Sequence, residues 1–437
     1  MRTRRVAVLG LDGVPFGLLE ESLGSGHMPR LAERTSGGSL RKMASTVPPI
    51  SSVAWSSFMT GQGPGRHGIF GFTDLVPGEK SLRLPSFDDI QCPTIWQEIP
   101  SQRAIVVNVP FTYPARPLNG TLISGFVAPL FDRGVYPASL IPWLKSIGYR
   151  FDVDAMRGRT DRRDLMGDLF RTLNVHVEAM LTLLETQPWD LFIGVVTGTD
   201  RLHHFFYDAA FDENHPFHRD FLAYYRRVDT LMGELFDRLG TGTRLFVVSD
   251  HGFTRLKTQV YVNNILHRLG YLRFTTSAPE RIEHVSTDSE AFALDPGRIY
   301  LNSQSRFRTG VLGPAAEEEA LSRLKRELEG LSVGDLGDPV PADLDSAETR
   351  LFDQVLTRAE AYGLDCLPAA PDLVLIPQEG YDLKAAFDAR APLMRDIFTG
   401  THTHHDAFLL TDDPSIGAKL GDPKISDVAA CIKECLA

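Results

Sequence analysis

The sequence predicts an α/β fold in which a mainly parallel sheet is flanked by helices, with a smaller lobe inserted beside it. Three observations carry this reading. Apolar runs of strand length recur at Val6–Leu11, Ala104–Val109, Leu191–Val196 and Leu245–Val248. Stretches with helical periodicity lie between them, and strands alternating with helices argue for a parallel sheet covered on both faces. Three of the four runs end in acidic or histidine side chains: Asp12, Asp200 with His204, and Asp250 with His251.

Taken in order, the first run turns away at Asp12-Gly13. A helix-like stretch follows from Met28, and a polar, proline-containing loop from Ser45 runs into a helix that ends near Gly61. Core strands are expected at Ala104–Pro110 and Thr121–Gly125. From Arg163 to Glu185, Leu165, Leu169, Leu173, Val177, Met180 and Leu184 recur at steps of three or four residues, the spacing of one helix face. The next strand, Leu191–Val196, leads into Thr199-Asp200-Arg201-Leu202-His203-His204. A long helix from about Phe217 to Leu239 precedes the strand that delivers Asp250-His251-Gly252.

Beyond Val260 the alternation loosens. Arg298–Asn302 and Ala369–Leu375 read as strands and Ala315–Leu331 as a charged helix. The expected organisation is a metal-binding α/β catalytic core of residues 1–257 and 376–437, with 258–375 as an inserted cap lobe. On this reading the chain returns to the core with Gly400-Thr401-His402, which ties the lobe down at both ends.

The chain has 437 residues, 43% hydrophobic and 23% charged, enough to bury a core that holds a site rigidly. A formal net charge of -11 gives no support for a polyanion-binding surface, so a nucleic acid polymer is not an expected partner. Cys92, Cys366, Cys431 and Cys435 are too scattered for a disulfide framework. The apolar run after the basic Met1–Arg5 is too short for a signal peptide, and none approaches the ~20 residues of a membrane span. The expected location is cytoplasmic, without membrane association.

Taken singly, each site residue has a plain explanation. Asp12 could cap a helix, His251 could be a packed loop histidine, and His402 sits in a histidine-rich loop, Thr401-His402-Thr403-His404-His405-Asp406. Asp200 and His204 could lie on a solvated helix face, yet a spacing of four also puts both on one side of a helical turn. His215 and His218 read as surface residues. Together, Asp12, Asp200, His204, Asp250, His251 and His402 all fall at strand ends or the turns after them, which in an open parallel sheet share one edge. Six such nitrogen and oxygen ligands suit two divalent cations, zinc first and manganese second. Two metals with an adjacent hydroxyl near Pro48-Pro49 make a phosphoryl-transfer device.

The motifs in order resemble the alkaline phosphatase superfamily and, within it, the type I phosphodiesterase/nucleotide pyrophosphatase family. The resemblance covers most of the chain. It rests on Gly10–Gly13, Pro48–Trp55, Thr60-Gly61 with Pro64–Phe70, Asn108–Pro114, Asp200–His204, Ser249–Gly252 and Gly400–His402. It implies an alkaline-phosphatase-like core, with Asp12, Ser51, Asp250 and His251 on one metal and Asp200, His204 and His402 on the other. Ser51 would be the nucleophile and form a phosphoserine-type intermediate; Ser52 is its rival. The implied partner is a small phosphorylated substrate such as a nucleotide.

Two positions depart from the family pattern. Threonine is usual where Ser51 stands, and the phosphate-binding asparagine expected after His67-Gly68-Ile69 is replaced by Phe72. The oxyanion contact is therefore expected from Ser52, through its backbone N–H or hydroxyl. No arginine follows the nucleophile to meet a dianionic monoester; Trp55 reads first as a core residue, although an apolar wall near the nucleophile would suit a diester's second substituent. Phosphodiester or pyrophosphate hydrolysis is the first expectation; a phosphomonoesterase or phosphonate hydrolase of the same superfamily is the alternative. Neither Cys92 nor Cys366 lies in a sulfatase motif. A nucleotide-binding pseudoenzyme is the alternative outside catalysis, and the full ligand set with its hydroxyl argues against it.

Overall fold

The computed structural model describes residues 5–240, 242–337, 344 and 346–437. Its central sheet has eight strands: β1 (Arg5–Leu11), β2 (Ser39–Met43), β3 (Ala104–Val109), β4 (Gly120–Ser124), β5 (Val135–Tyr136), β6 (Leu191–Val196), β7 (Thr243–Val248) and β8 (Ala407–Thr411), in the order β2-β8-β7-β1-β6-β3-β4-β5. The five from β7 to β4 run parallel, β8 runs antiparallel to β7 and to β2, and β5 runs antiparallel to β4. Parallel strands buried on both faces cannot alternate apolar with polar residues. This is why β1, β6 and β7 read as unbroken apolar runs.

Register sets the site. Leu11 lies opposite Val196 of β6, and Gly10 opposite Val248 of β7. The residues that follow these strands therefore leave the sheet at one level, at its carboxyl edge. Helix α1 (Ser51–Thr60) packs on β1 with every residue buried. A Cβ on Gly10 would come within 2.4 Å of the Trp55 ring, so only glycine lets α1 approach this closely. In α2 (Arg162–Thr186) the six apolar residues of the sequence pattern are all buried, and Asp161 caps the helix by accepting from the Arg163 and Asp164 N–H groups. Helix α3 (Gly198–Phe206) follows β6, and α4 (His218–Leu239) packs against α2.

The chain divides into two compact units: Met1–Gly63 with Ser86–Thr254 and His402–Ala437, and Pro64–Pro85 with Arg255–Thr401. The first holds the whole central sheet. The second is built on a four-stranded sheet of Ala291–Leu294, Arg298–Leu301, Phe352–Thr357 and Leu373–Pro377, against which the helix Pro314–Gly330 buries Ala320, Leu324 and Leu328.

This division corrects the boundaries expected from the sequence. Tyr381–Lys384 and Leu393–Met394 both pair with Thr258–Tyr261, so the second unit runs past residue 375. Pro64–Pro85 also belongs to it, because the buried Arg298 donates to the Thr73 carbonyl and the Arg298 guanidinium packs on Gly71. Among the described residues, no helix is long and apolar enough to cross a membrane.

Candidate functional site

The first unit brings Asp12, Ser51, Asp200, His204, Asp250, His251 and His402 together at the carboxyl edge of the sheet. Asp12 follows β1 and Asp250 follows β7; the Gly13 N–H donates to Asp250 Oδ1 at 3.0 Å and ties the two strand ends. Gly13 has a φ of 66°, a conformation costly for a side chain, and a Cβ there would press on Phe253. His251 Nε2 lies 3.7 Å from Asp12 Oδ1 and 3.3 Å from Asp250 Oδ2. Ser51 is the first residue of α1, and its hydroxyl donates to Asp12 Oδ1 at 3.2 Å, with His251 Nε2 3.4 Å away.

The other three residues form a second group. Asp200 and His204 sit one turn apart on α3, and His402 reaches them from the far end of the sequence. His402 Nε2 is 3.1 Å from Asp200 Oδ1 and 2.9 Å from His204 Nε2, which is itself 3.4 Å from Asp200 Oδ1. A ring of His251 lies 3.9 Å from the ring of His402, centroid to centroid, so the two groups adjoin.

The electrostatics are those of acids crowded out of water. Burial, reinforced by the Asp250 and Asp200 charges, pushes the Asp12 carboxyl well above the carboxylate range. Burial does the same to Asp250, with Asp200 adding and the Gly13 N–H opposing. At Asp200 burial works in the same direction but is outweighed by His204, the His402 hydrogen bond and Arg201, which hold it well below that range. Burial also drives the His251 imidazole well down, with His402 adding to the effect.

These residues fit bound cations. Asp250 Oδ2 is buried with no hydrogen-bond partner, a costly state unless a positive charge meets it. His251 Nδ1 lies 3.1 Å from the Gly252 carbonyl and His402 Nδ1 2.9 Å from the Pro49 carbonyl; in the tautomers protonated there, each Nε2 would offer a lone pair to a cation in place of its present contacts. Carbonyl acceptors that fix imidazole tautomers in this way are usual behind metal ligands. Two sets, Asp12 with Asp250 and His251, and Asp200 with His204 and His402, each have ligand atoms within 4.8 Å of one another. Against two divalent cations, the three carboxylates leave a single positive charge.

The remaining sequence-predicted residues fall elsewhere. Ser52 is in the first turn of α1, buried, with its hydroxyl unpartnered. Phe72 is half-buried in the second unit. His215 and His218 are half-buried and lie outside both groups. Trp55 is not an exposed apolar wall: it is fully buried, and its indole N–H donates to Asp12 Oδ2 at 3.0 Å.

Three supporting residues escaped the sequence reading. The Thr199 hydroxyl donates to the Asp12 carbonyl at 2.6 Å. His203 bridges the Gly13 carbonyl and the Tyr225 hydroxyl at 2.8 and 2.7 Å. Arg201 donates to Asp200 Oδ2 at 3.1 Å. Adjacency to Asp200 is the only signal the sequence offers for any of them.

The fold and this arrangement define an alkaline-phosphatase-like hydrolase of phosphoric esters. Over residues 6–403 the sequence matches the profile of the type I phosphodiesterase / nucleotide pyrophosphatase family, and the chain belongs to that family. The sequence matches no curated protein. Among solved structures, phosphonoacetate hydrolase from Sinorhizobium meliloti 1021 is similar with a TM-score of 0.64 at 17% identity, over 100% of this chain and 97% of that one. Murine ectonucleotide pyrophosphatase / phosphodiesterase 5, in an inactive form complexed with AMP, is similar with a TM-score of 0.56 at 12% identity, over 99% and 95%. Its human counterpart gives 0.55 at 10%, over the same shares.

Proposed function

We propose that the chain hydrolyses phosphodiesters, nucleotide pyrophosphates and related small esters included, through a covalent intermediate on Ser51. The observation that carries this is the Ser51 hydroxyl, buried at a helix start with Asp12 Oδ1 at 3.2 Å and His251 Nε2 at 3.4 Å. An Oγ–phosphorus bond forms as the bond to the leaving oxygen breaks, and water then releases the phosphoryl group and restores the hydroxyl. Asp12, Asp250 and His251 would hold one divalent cation and Asp200, His204 and His402 a second, zinc first and manganese second. Bound there, the pair would supply an ionised Ser51 hydroxyl, charge neutralisation on the phosphate and an activated water.

The chain itself supplies the remaining contacts. The first N–H groups of α1 have no carbonyl partner within the helix, so those of Ser51 and Ser52 are free for a phosphate oxygen and are favoured there by the helix dipole. The unpartnered Ser52 hydroxyl is a further donor. Trp55 holds Asp12 by Oδ2 and leaves Oδ1 toward Ser51. AMP in the murine relative supports a nucleotide substrate. The likeness to a phosphonoacetate hydrolase favours a phosphonate as the second reading.

A panel of a chromogenic diester, the matching monoester and phosphonoacetate tests the proposal. The diester is expected to show the highest kcat/KM, and Ser51→Ala to abolish its turnover. A kcat/KM for phosphonoacetate or the monoester at least tenfold above that for the diester would overturn the substrate assignment.

A further inference from the structure

Between Asp200 and His204, helix α3 carries a side chain that the chemistry above does not use. The Arg201 guanidinium is restrained on two edges and one face. Its Nη1 donates to Asp200 Oδ2 at 3.1 Å, and its Nε and Nη2 both donate to Asp152 Oδ2, at 3.1 and 2.8 Å. Its Cζ lies 4.8 Å from the centroid of the Phe126 ring. Asp152 comes from the segment before α2, so the pairing joins chain regions 49 residues apart.

The two oxygens of Asp200 are thereby divided. Oδ2 is taken by Arg201, while Oδ1 lies 3.1 Å from His402 Nε2 and 3.4 Å from His204 Nε2. Without the Arg201 bond, the carboxylate could turn about its last torsion or offer both oxygens to one ion.

Stability alone does not explain the cluster. The Arg201, Asp152 and Asp200 side chains are 21%, 17% and 2% exposed, and ion pairs this buried pay a desolvation penalty that apolar packing would avoid. A planar fork that pairs two carboxylates while stacking on a ring is also something lysine cannot reproduce.

We infer that Arg201, anchored by Asp152 and Phe126, is a positioning residue that reserves Asp200 Oδ1 for the cation shared with His204 and His402. The inference rests on the two-cation reading of the site. Partners behind metal ligands typically contribute 10–100-fold in metal affinity, so the effect is confined to one of the two ions. The ion held by Asp12, Asp250 and His251 has no hydrogen-bonded link to Arg201 and feels only its longer-range charge, the last of the influences on Asp12.

Zinc affinities measured by competition with a chromogenic chelator test it, with thermal unfolding of the metal-free proteins as the check on folding. Wild-type protein binds two ions. In Arg201→Met, one of them is held about 10–100-fold more weakly and the other is unchanged within about threefold. Arg201→Lys shows the same selective loss, and Asp152→Asn a smaller loss at the same ion. Adding His402→Ala to Arg201→Met costs that ion less than the two single losses combined, as expected of coupled neighbours.

Unchanged affinities, or both ions weakening together, would overturn the inference. If Arg201→Met fails to fold, Asp152→Asn decides alone: selective weakening supports the inference, and equal affinities overturn it. Fewer than two ions on the wild-type protein would instead bring down the two-cation reading and the inference with it, an outcome seen before any substitution is made.

Discussion

The two ligand groups reach one sheet edge by different means. Asp12, Asp250 and His251 are fully buried and follow adjacent parallel strands, with Asp250 bonded to the Gly13 backbone and His251 to that of Gly252. Asp200, His204 and His402 combine one helix with a segment 198 residues further on, and the rings of His204 and His402 are 22% and 18% exposed. The first group inherits its geometry from strand register, which cannot shift without dismantling the sheet. The second is assembled by side chains, from Arg201 on one side and the Pro49 carbonyl on the other. A backbone-fixed half that carries the proposed nucleophile, Ser51, therefore adjoins a half held by side-chain contacts and partly open to solvent.

The harshest test of this contrast is removal of the proposed nucleophile from the rigid half. Ser51→Ala is expected to reduce kcat by about four to six orders of magnitude, the range for loss of a hydrolase nucleophile, with zinc content unchanged because all six acidic and histidine ligands remain. Equilibrium metal titration of two ligand variants comes next. Asp250→Asn should abolish the ion of the rigid half, whereas His402→Ala should leave that ion in place and weaken only the adjustable one. Equal loss of both ions in each variant would erase the distinction.

Gly10→Ala probes how the rigid half is held. A Cβ 2.4 Å from the Trp55 ring must displace α1, at a cost of about 1–3 kcal/mol for overpacking. Chemical denaturation should read that loss, and zinc affinity should fall at the Asp12 group alone. The smallest effect is expected from Ser52→Ala. Its hydroxyl bonds nothing in this structure, and one neutral hydrogen bond to substrate contributes about 0.5–1.5 kcal/mol, so kcat/KM should drop by roughly three- to tenfold.

The rigid half was the legible one. β1 and β7 are buried on both faces, so each appears as an apolar run with a ligand at its end. Edge strand β2, Ser39-Leu40-Arg41-Lys42-Met43, is half exposed and carries no such run. The adjustable half was legible as ligands but not as a construction. The i, i+4 spacing of Asp200 and His204 is local, whereas the Asp152 partner of Arg201 and the Pro49 carbonyl behind His402 are set only by tertiary packing.

The same limit explains Trp55 and the second unit. An indole bound to Asp12 reads in sequence as one more core aromatic, because its N–H direction depends on how α1 lies across β1. Pro64–Pro85 follows α1 closely in sequence, yet it joins a unit whose Arg298 lies 225 residues beyond Thr73. Local pattern carries no trace of such a bond.

Attack by Ser51 is the central claim, and the stereochemical course at phosphorus reads it most directly. A diester made chiral by one sulfur on phosphorus, hydrolysed in isotopically labelled water, reports whether displacement occurs once or twice. Attack by Ser51 followed by attack of water gives two inversions and therefore net retention of configuration. Net inversion would mean that water displaces the leaving group in a single step, and Ser51 would then not be the nucleophile.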